Sequence, residues 1–498
     1  MTEPCDLPAT ELRRLIGARA LSPVELLDSC LGRIARVNPA VNAVVTLDEA
    51  RARAAAREAE AAVMRGDPLG PLHGLPVGIK DTEDTAGLRT TYGSPIFADH
   101  VPAQDLGAVA RLRAAGAIVI GKTNTPEWAA GGNTRNPVHG ATGNPFDPTR
   151  SAAGSSGGSA VALACGMVPL ASGSDTGGSL RNPAAHNGIV GLRPSPGLVP
   201  NEKRGLGWFS LSVNGPMARN VPDAALMLSA MAGDDARDPL AYTLPGEPVR
   251  GRPDRYAPPP EARLAGLRVA FTEDFGFAPT ERHIRRVFRA RVAALAPLFA
   301  GMEEATPDCT GADDAFAVLR ASLFLSTQLR NHRERPQLLG PNIRANVEEG
   351  LGYTLEDYTR AATAQTRIYR GFQEFFARHD LLVSPAITLS PRPWRELYPA
   401  EIDGAPTRSY FHWLALAYGV TLAGHPAISL PLGLDEAGMP FGLQLVGPRG
   451  GDALLLGIAA AVEAACAGDP ALRRPVPDLG RLAAAPPIAA MPGFRDAE

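Results

Sequence analysis

The stretch from 150 to 183, RSAAGSSGGSAVALACGMVPLASGSDTGGSLRNP, constrains this chain more than any other. It carries two clusters of small residues, Gly154-Ser155-Ser156-Gly157-Gly158-Ser159 and Gly173-Ser174-Asp175-Thr176-Gly177-Gly178-Ser179. Neither has the side-chain bulk to build a core. Between them runs an apolar segment, 160–171, which reads as a buried helix or as a helix followed by a strand. Glycine is used where the backbone needs a positive φ or where another group must come close. Two such clusters, each ending in serine, point to hydroxyls and backbone N–H groups gathered about one reacting atom. Three other readings fit less well. A flexible linker would not be interrupted by a packed apolar run, nor lead into Arg181, Asn182 and Pro183. A phosphate loop needs a Lys-Ser/Thr pair after its last glycine, whereas Gly158 is followed by Ser159-Ala160 and Gly178 by Ser179-Leu180. A nucleophile elbow needs Gly-x-Ser-x-Gly, and Gly178-Ser179-Leu180-Arg181 lacks that spacing.

A chain of 498 residues can bury a large core, and its net charge of −3 with no block of Lys or Arg argues against a nucleic-acid surface. The 52 glycines and 47 prolines accompany an ordinary apolar content. They signal turns and long loops about a site, not disorder. The five cysteines are scattered without metal or redox spacing, which fits reduced thiols in a cytoplasmic protein. The opening MTEPCDLPATELRR has no secretory pattern, and no apolar run reaches the length of a membrane span.

Residues 1–68 read as helical and packed on the core. Ser22, Pro23 and Glu25 supply an N-cap, a first-turn proline and a capping box. Val77-Gly78-Ile79 is a short buried strand with Lys80 at its end. By itself Lys80 reads as a surface lysine paired with Asp81, because lysine is almost never buried alone. A short helix over 106–115 leads into a strand at 117–121, a rhythm of crossover units. Further strands are expected near 188–194, 267–271, 381–384, 426–431 and 441–447, with helices over 281–300, within 313–379 and over 452–466. The fold class is therefore α/β, with a large mixed β-sheet covered by helices on both faces, over 69–472. Residues 233–263 read as a Pro-rich surface connection and 473–498 as a loosely ordered tail. The Gly-rich loop 128–133 reads as a pocket wall. Trp208 and Phe209 read as a lid or acyl pocket, or as residues packed beneath their own loop. His412 and Trp413 read either as pocket or as core.

The motifs Gly154-Ser-Ser-Gly-Gly-Ser159, Gly173-Ser-Asp-Thr-Gly-Gly-Ser-Leu-Arg-Asn-Pro183 and Gly188-Ile-Val-Gly-Leu-Arg-Pro194 resemble the amidase signature hydrolases, and weaker agreement runs from about residue 7 to 463. Pro71-Leu-His-Gly-Leu-Pro-Val-Gly-Ile-Lys-Asp81 is similar to that family's lysine motif, which reverses the surface reading of Lys80 and leaves His73 structural. The resemblance implies a triad of Ser179 as nucleophile, Ser155 as bridging serine after a cis Gly154–Ser155 peptide, and Lys80 as base. Ser155 and Ser179 are twenty-four positions apart, as the family spacing requires. A serine hydroxyl needs a base within hydrogen-bond reach. A lysine at its ordinary pKa of about 10.4 cannot serve, but burial lowers that value. The backbone of Thr176, Gly177 and Gly178 is expected to form the oxyanion hole, with Ser156, Asp175 and Arg181 bracing the loop. Ala129, by its carbonyl, and Gly131 are expected at the substrate, with Trp208 and Phe209. Ala152-Ala153 departs from the family, which carries Gly beside Gly154.

The resemblance calls for no metal or cofactor. It implies a small-molecule amide or carbamate substrate, no nucleic acid or membrane partner, and a homodimer. The expected activity is hydrolysis of an amide carbon–nitrogen bond through a serine acyl-enzyme, on an apolar or aryl substrate. The alternatives are carbamate cleavage by the same triad and, behind it, the amidotransferase component of a tRNA-dependent complex. The family's transferase branch carries an acidic Met-Gly-Ser-Ser loop ahead of its first serine cluster. Here that region reads Pro126-Glu-Trp-Ala-Ala-Gly-Gly-Asn133, which argues against it. A non-catalytic binding relative ranks last, since all three triad residues are present.

Overall fold

Every residue of Pro76–Lys80 and of Ile118–Thr123 is buried, the pattern of strands covered on both faces. These strands belong to a computed structural model that describes residues 3–241 and 253–495. Among those residues an eleven-stranded mixed sheet organises the chain. Its strands are β1 (Val44–Leu47), β2 (Pro76–Lys80), β3 (Ile118–Thr123), β4 (Leu170–Asp175), β5 (Val190–Arg193), β6 (Val213–Ala218), β7 (Arg268–Phe271), β8 (Gly301–Glu304), β9 (Leu381–Pro385), β10 (Ala427–Leu434) and β11 (Pro440–Val446). They lie in the order β1-β3-β2-β4-β6-β5-β10-β11-β9-β7-β8. β2 runs parallel to β3 and β4. The centre from β4 through β6, β5, β10 and β11 to β9 is antiparallel. The far edge, β9 to β7 to β8, is parallel again. The α/β class and the mixed sheet expected from the sequence are what the molecule has.

The segment between the two serine clusters resolves into the helix Gly157–Ala164 and then β4. All eight helical residues are buried, as suits a helix apolar all round, and it packs on β2, β4 and β6. Its glycines have a steric cause. A methyl group at Gly158 would stand 2.2 Å from the Asn124 backbone nitrogen, so only glycine lets helix and strand approach this closely.

The expected N-terminal cap is present. Ser22 Oγ accepts from the Val24 N–H at 2.9 Å, and the Ser22 N–H donates to Glu25 Oε2 at 3.0 Å. The following helix, Pro23–Val41, buries Leu26, Leu27 and Ile34. His73 is held by its Nε2 against the Ala59 carbonyl at 2.9 Å. The helices Ala312–Glu334, Pro341–Gly352 and Leu355–Phe376 pack together, the first against the other two. Phe316 of the first stacks on Tyr418, ring centroids 4.3 Å apart.

One expectation is overturned at the C-terminus. The tail beyond 473 is not loose over its described residues. It forms the helix Leu479–Ala484, buries Leu482 and Ile488, and sends the Phe494 carbonyl to the Ala141 N–H at 3.0 Å. Burying a side chain such as Ile488 is worth about 1.5–3 kcal/mol, enough to hold a short segment down. The surface connection expected over 233–263 lies partly outside the described residues. Among the described residues no helix is long and apolar enough to cross a membrane, and all five cysteines are buried and free.

Candidate active site

Lys80 is the last residue of β2 and is fully buried. β4 lies beside it and turns Ser172 and Ser174, two residues apart and therefore on one face, toward the lysine. The Lys80 N–H donates to Ser172 Oγ at 3.1 Å. Its Nζ stands 2.7 Å from Ser155 Oγ, 2.9 Å from Ser174 Oγ and 3.0 Å from Ser156 Oγ. Burial drives the amine down to about 7, against the opposing pull of the Glu83 and Asp175 carboxylates. The pairing of Lys80 with Asp81 suggested by the bare sequence does not occur. Asp81 instead accepts hydrogen bonds from Thr91, through its N–H and its hydroxyl. Behind the site Glu83 is buried, and burial raises its carboxyl above the usual range. It accepts from Ser172 Oγ at 2.5 Å and from Asn214 Nδ2 at 3.1 Å.

The two serine clusters come together where the Ser156 N–H donates to the Ser179 carbonyl at 3.2 Å. The Gly154–Ser155 peptide is cis. Ala153, where the family carries glycine, sits at φ 55°, in the left-handed region that glycine favours. The turn before Ser179 hangs on Asp175. Its carboxylate accepts from Arg181 Nε and Nη2 at 3.0 and 2.9 Å, from Arg193 Nη1 at 3.2 Å, and from the N–H groups of Gly178 and Leu180 at 2.9 and 3.2 Å. Burial alone would raise this carboxyl, but the two guanidiniums outweigh it and hold it well below the usual carboxylate range. This network revises the expected oxyanion hole. The Gly178 N–H already serves Asp175. The N–H groups of Thr176, Gly177 and Ser179 make no hydrogen bond among the described residues and are the free donors at this turn. Gly178 still has a role, since its φ of 109° is open only to glycine.

Ser179 faces an inner chamber of about 70 Å³ shared with Ser155, Ser174, Thr176 and Gly177. Ala129 and Gly131 line it from the 128–133 loop, and Phe316, Arg320, Phe324, Tyr410, Phe411 and Leu414 close it. Trp128, Ala129, Ser174, Thr176, Leu323 and Phe324 are common to this chamber and to a more open outer cleft of about 380 Å³. Trp128 and Ala129 hold left-handed φ values of 51° and 57°, and Trp128 stacks on Tyr92 at 4.9 Å. Non-glycine residues in that region cost free energy and concentrate at binding sites. Phe209 lines the outer cleft. Trp208 does not. It is 81 % exposed and lines neither space, because its side chain turns to solvent while its neighbour turns in. Trp413 is core, its Nε1 donating to the Tyr410 carbonyl at 2.8 Å. His412 is half-buried beside Asp313.

Several residues here carry no local sequence signal. Ser174 lies inside the second cluster but is not marked as a lysine partner there. Glu83 meets Asn214 only through the sheet. Phe316, Arg320 and Phe324 come from one helix whose spacing reads as core.

With this geometry in view, the amidase family model matches residues 25–456. The acylamidase of Rhodococcus erythropolis is 34% identical over 468 residues, covering 92% of this chain and 95% of that protein. A glutamyl-tRNA(Gln) amidotransferase subunit from Acidothermus cellulolyticus is 35% identical over 494 residues, covering 92% of this chain and 94% of that protein. Among solved structures, a bacterial aryl acylamidase of the amidase signature enzymes superposes with a TM-score of 0.85 at 27% identity, covering 93% of this chain and 96% of its own.

Proposed function

The chain belongs to the amidase signature family of amide-hydrolysing enzymes, and from that premise we propose that it cleaves a carbon–nitrogen bond of a small amide through an acyl-enzyme on Ser179. One observation carries this reading: a buried lysine whose Nζ lies 2.7 Å from Ser155 Oγ, beside a turn that leaves backbone N–H groups free. A neutral amine donates two hydrogen bonds and accepts one. Lys80 meets three hydroxyls, so in its neutral form it donates to Ser156 and Ser174 and accepts from Ser155, the nearest. Ser155 then takes the proton of Ser179 as the latter attacks the carbonyl carbon. The N–H groups of Thr176, Gly177 and Ser179 receive the developing oxyanion. Each such donor is typically worth about 3 kcal/mol in the transition state. The proton held on Lys80 returns through Ser155 to the departing amine. Water then attacks the ester along the same relay in reverse.

The two spaces divide the substrate. The amine must leave while the acyl group remains on Ser179, so the amine belongs in the more open outer cleft, against Trp128, Phe209 and Phe324. Those rings favour an aryl or alkyl amine. The acyl part occupies the inner chamber.

The test is amine release from a matched aryl anilide and aryl carbamate, with Ser179→Ala as control. Turnover of either by the parent and not by the variant is expected, and the ratio separates amide from urethane cleavage. Equal turnover by the variant would reject the nucleophile. The likeness to the amidotransferase component favours one second reading. Ammonia release from glutamine that appears only with a partner protein would replace the stand-alone hydrolase.

A further inference from the structure

Arg320 projects from the helix Ala312–Glu334 into the inner chamber and is only 6 % exposed. Among the described residues no carboxylate forms an ion pair with it. Asp313, on the same helix, is engaged by Arg408 and by the Tyr418 hydroxyl. The Arg320 guanidinium instead sits among aromatic rings, 4.8 Å from the centroid of Phe324, 5.0 Å from Tyr410 and 5.5 Å from Phe411. Its Nη2 donates to Tyr410 Oη, and its Nε is buried without a hydrogen-bond partner. Burial lowers its pKa to about 9, which still leaves it charged at neutral pH. Taking an unpaired charge out of water is costly, and aromatic faces recover only part of that cost.

Tyr410 adds a second unused group. Its oxygen also accepts from Asn346 Nδ2 at 2.9 Å. With two N–H donors on that oxygen, its own proton has no acceptor among the described residues. A cation with no contact ion pair among the described residues, drawn only at a distance to Glu349, and a hydroxyl proton without an acceptor thus line the same small chamber as Ser155 and Ser179.

We propose that Arg320 and Tyr410 receive a carboxylate on the acyl part of the substrate, so that the preferred substrate is a monoamide of a short dicarboxylic acid. The inference rests on the hydrolase reading above and names its acyl side. A guanidinium fits a carboxylate through two parallel N–H donors, and the Tyr410 proton adds a third. The chamber, at about 70 Å³, is roughly half the 150 Å³ that holds a benzene ring. It suits an acyl chain of a few carbons better than an aryl acid. The reaction is addition of water across the amide, giving the dicarboxylate and the free amine.

The experiment compares succinanilate with butyranilide, which replaces its carboxylate by a methyl group. A charge-assisted contact of this kind predicts a kcat/KM ratio of roughly 100 in favour of succinanilate. Arg320→Met should bring the ratio to about one, and Arg320→Lys should restore part of it. The ratio cancels any loss of rate common to both substrates. A parent ratio at or below one overturns the proposal. So does a ratio unchanged in Arg320→Met while both rates fall, which would make Arg320 a structural cation. A second arm needs no turnover. Malonate, succinate and glutarate are titrated into the intact protein while Tm is followed. At least one should raise Tm in the parent and not in Arg320→Met, and no rise with any of them overturns the proposal even if neither anilide is cleaved.

Discussion

The ionisation of Lys80 is the point at which the account is most exposed. Burial takes the amine from its ordinary 10.5 to about 7. At pH 7 a lysine at its ordinary value is neutral in only about one molecule in 3,000, whereas one at about 7 is neutral in roughly half. The relay needs the neutral form, so kcat/KM, which reports the free enzyme, should rise with pH and level off above neutrality. At pH 5.5 it should lie roughly 30-fold below its plateau. Lys80→Arg keeps the charge but cannot be deprotonated. It should lower kcat by on the order of 10²–10⁴, the usual worth of a positioned general base. The assay is initial-rate amine release from pH 5.5 to 9.5, with buffers overlapped at constant ionic strength. A flat profile across that range, or Lys80→Arg within a few-fold of the parent, would refute the reasoning.

Four other outcomes follow from the same geometry. Because native Lys80 binds its proton less tightly than the unfolded chain, it penalises folding fully below about 7, and the penalty is relieved as pH rises toward 10.5. The Tm advantage of Lys80→Met over the parent should therefore be larger at pH 6 than at pH 10. Asp175→Asn strips the counter-charge from Arg181 and Arg193 and should cost about 3–5 kcal/mol in denaturant unfolding. Gly178→Ala puts a methyl 2.4 Å from Ala417 Cβ and 2.5 Å from Asn182 Nδ2 at a positive φ, so the Ser179 turn must shift and kcat should collapse even in protein whose circular dichroism is native. Ser174→Ala removes one of three hydroxyls holding Lys80 Nζ. It should lower kcat by roughly tenfold, the worth of one hydrogen bond, with little change in KM.

The fold was legible where the signal is local. The apolar runs at 77–79 and 117–121, which become the strands Pro76–Lys80 and Ile118–Thr123, the Ser22 cap and the helix at 452–466 announce themselves by apolar pattern and capping chemistry. Lys80, Ser155 and Ser179 are marked in the sequence only by their resemblance to family motifs, and the molecule brings Lys80 and Ser155 into contact. Other features depend on who meets whom after folding. The Gly178 N–H looks free in sequence and is taken by Asp175, because the carboxylate must face two arginines from later elements. Trp208 and Phe209 are neighbours with opposite fates, which no periodicity in a loop distinguishes. The tail past 473 is rich in proline yet packs, because Ile488 finds a hydrophobic slot against Ala141 and Trp394. Arg320 falls in a stretch, 313–379, that reads only as helical, and only the fold places it inside the chamber with Ser179.

The central claim is that Ser179 carries the acyl group. Enzyme quenched in acid during turnover of an activated anilide or aryl ester, digested and mapped by mass spectrometry, tests it directly. The acyl mass should sit on Ser179 itself, assigned by fragmentation of the 151–181 peptide that also holds Ser155 and Ser156, with none in Ser179→Ala. Acylation of Ser155 or Ser156 instead, or undiminished turnover by Ser179→Ala, would contradict it.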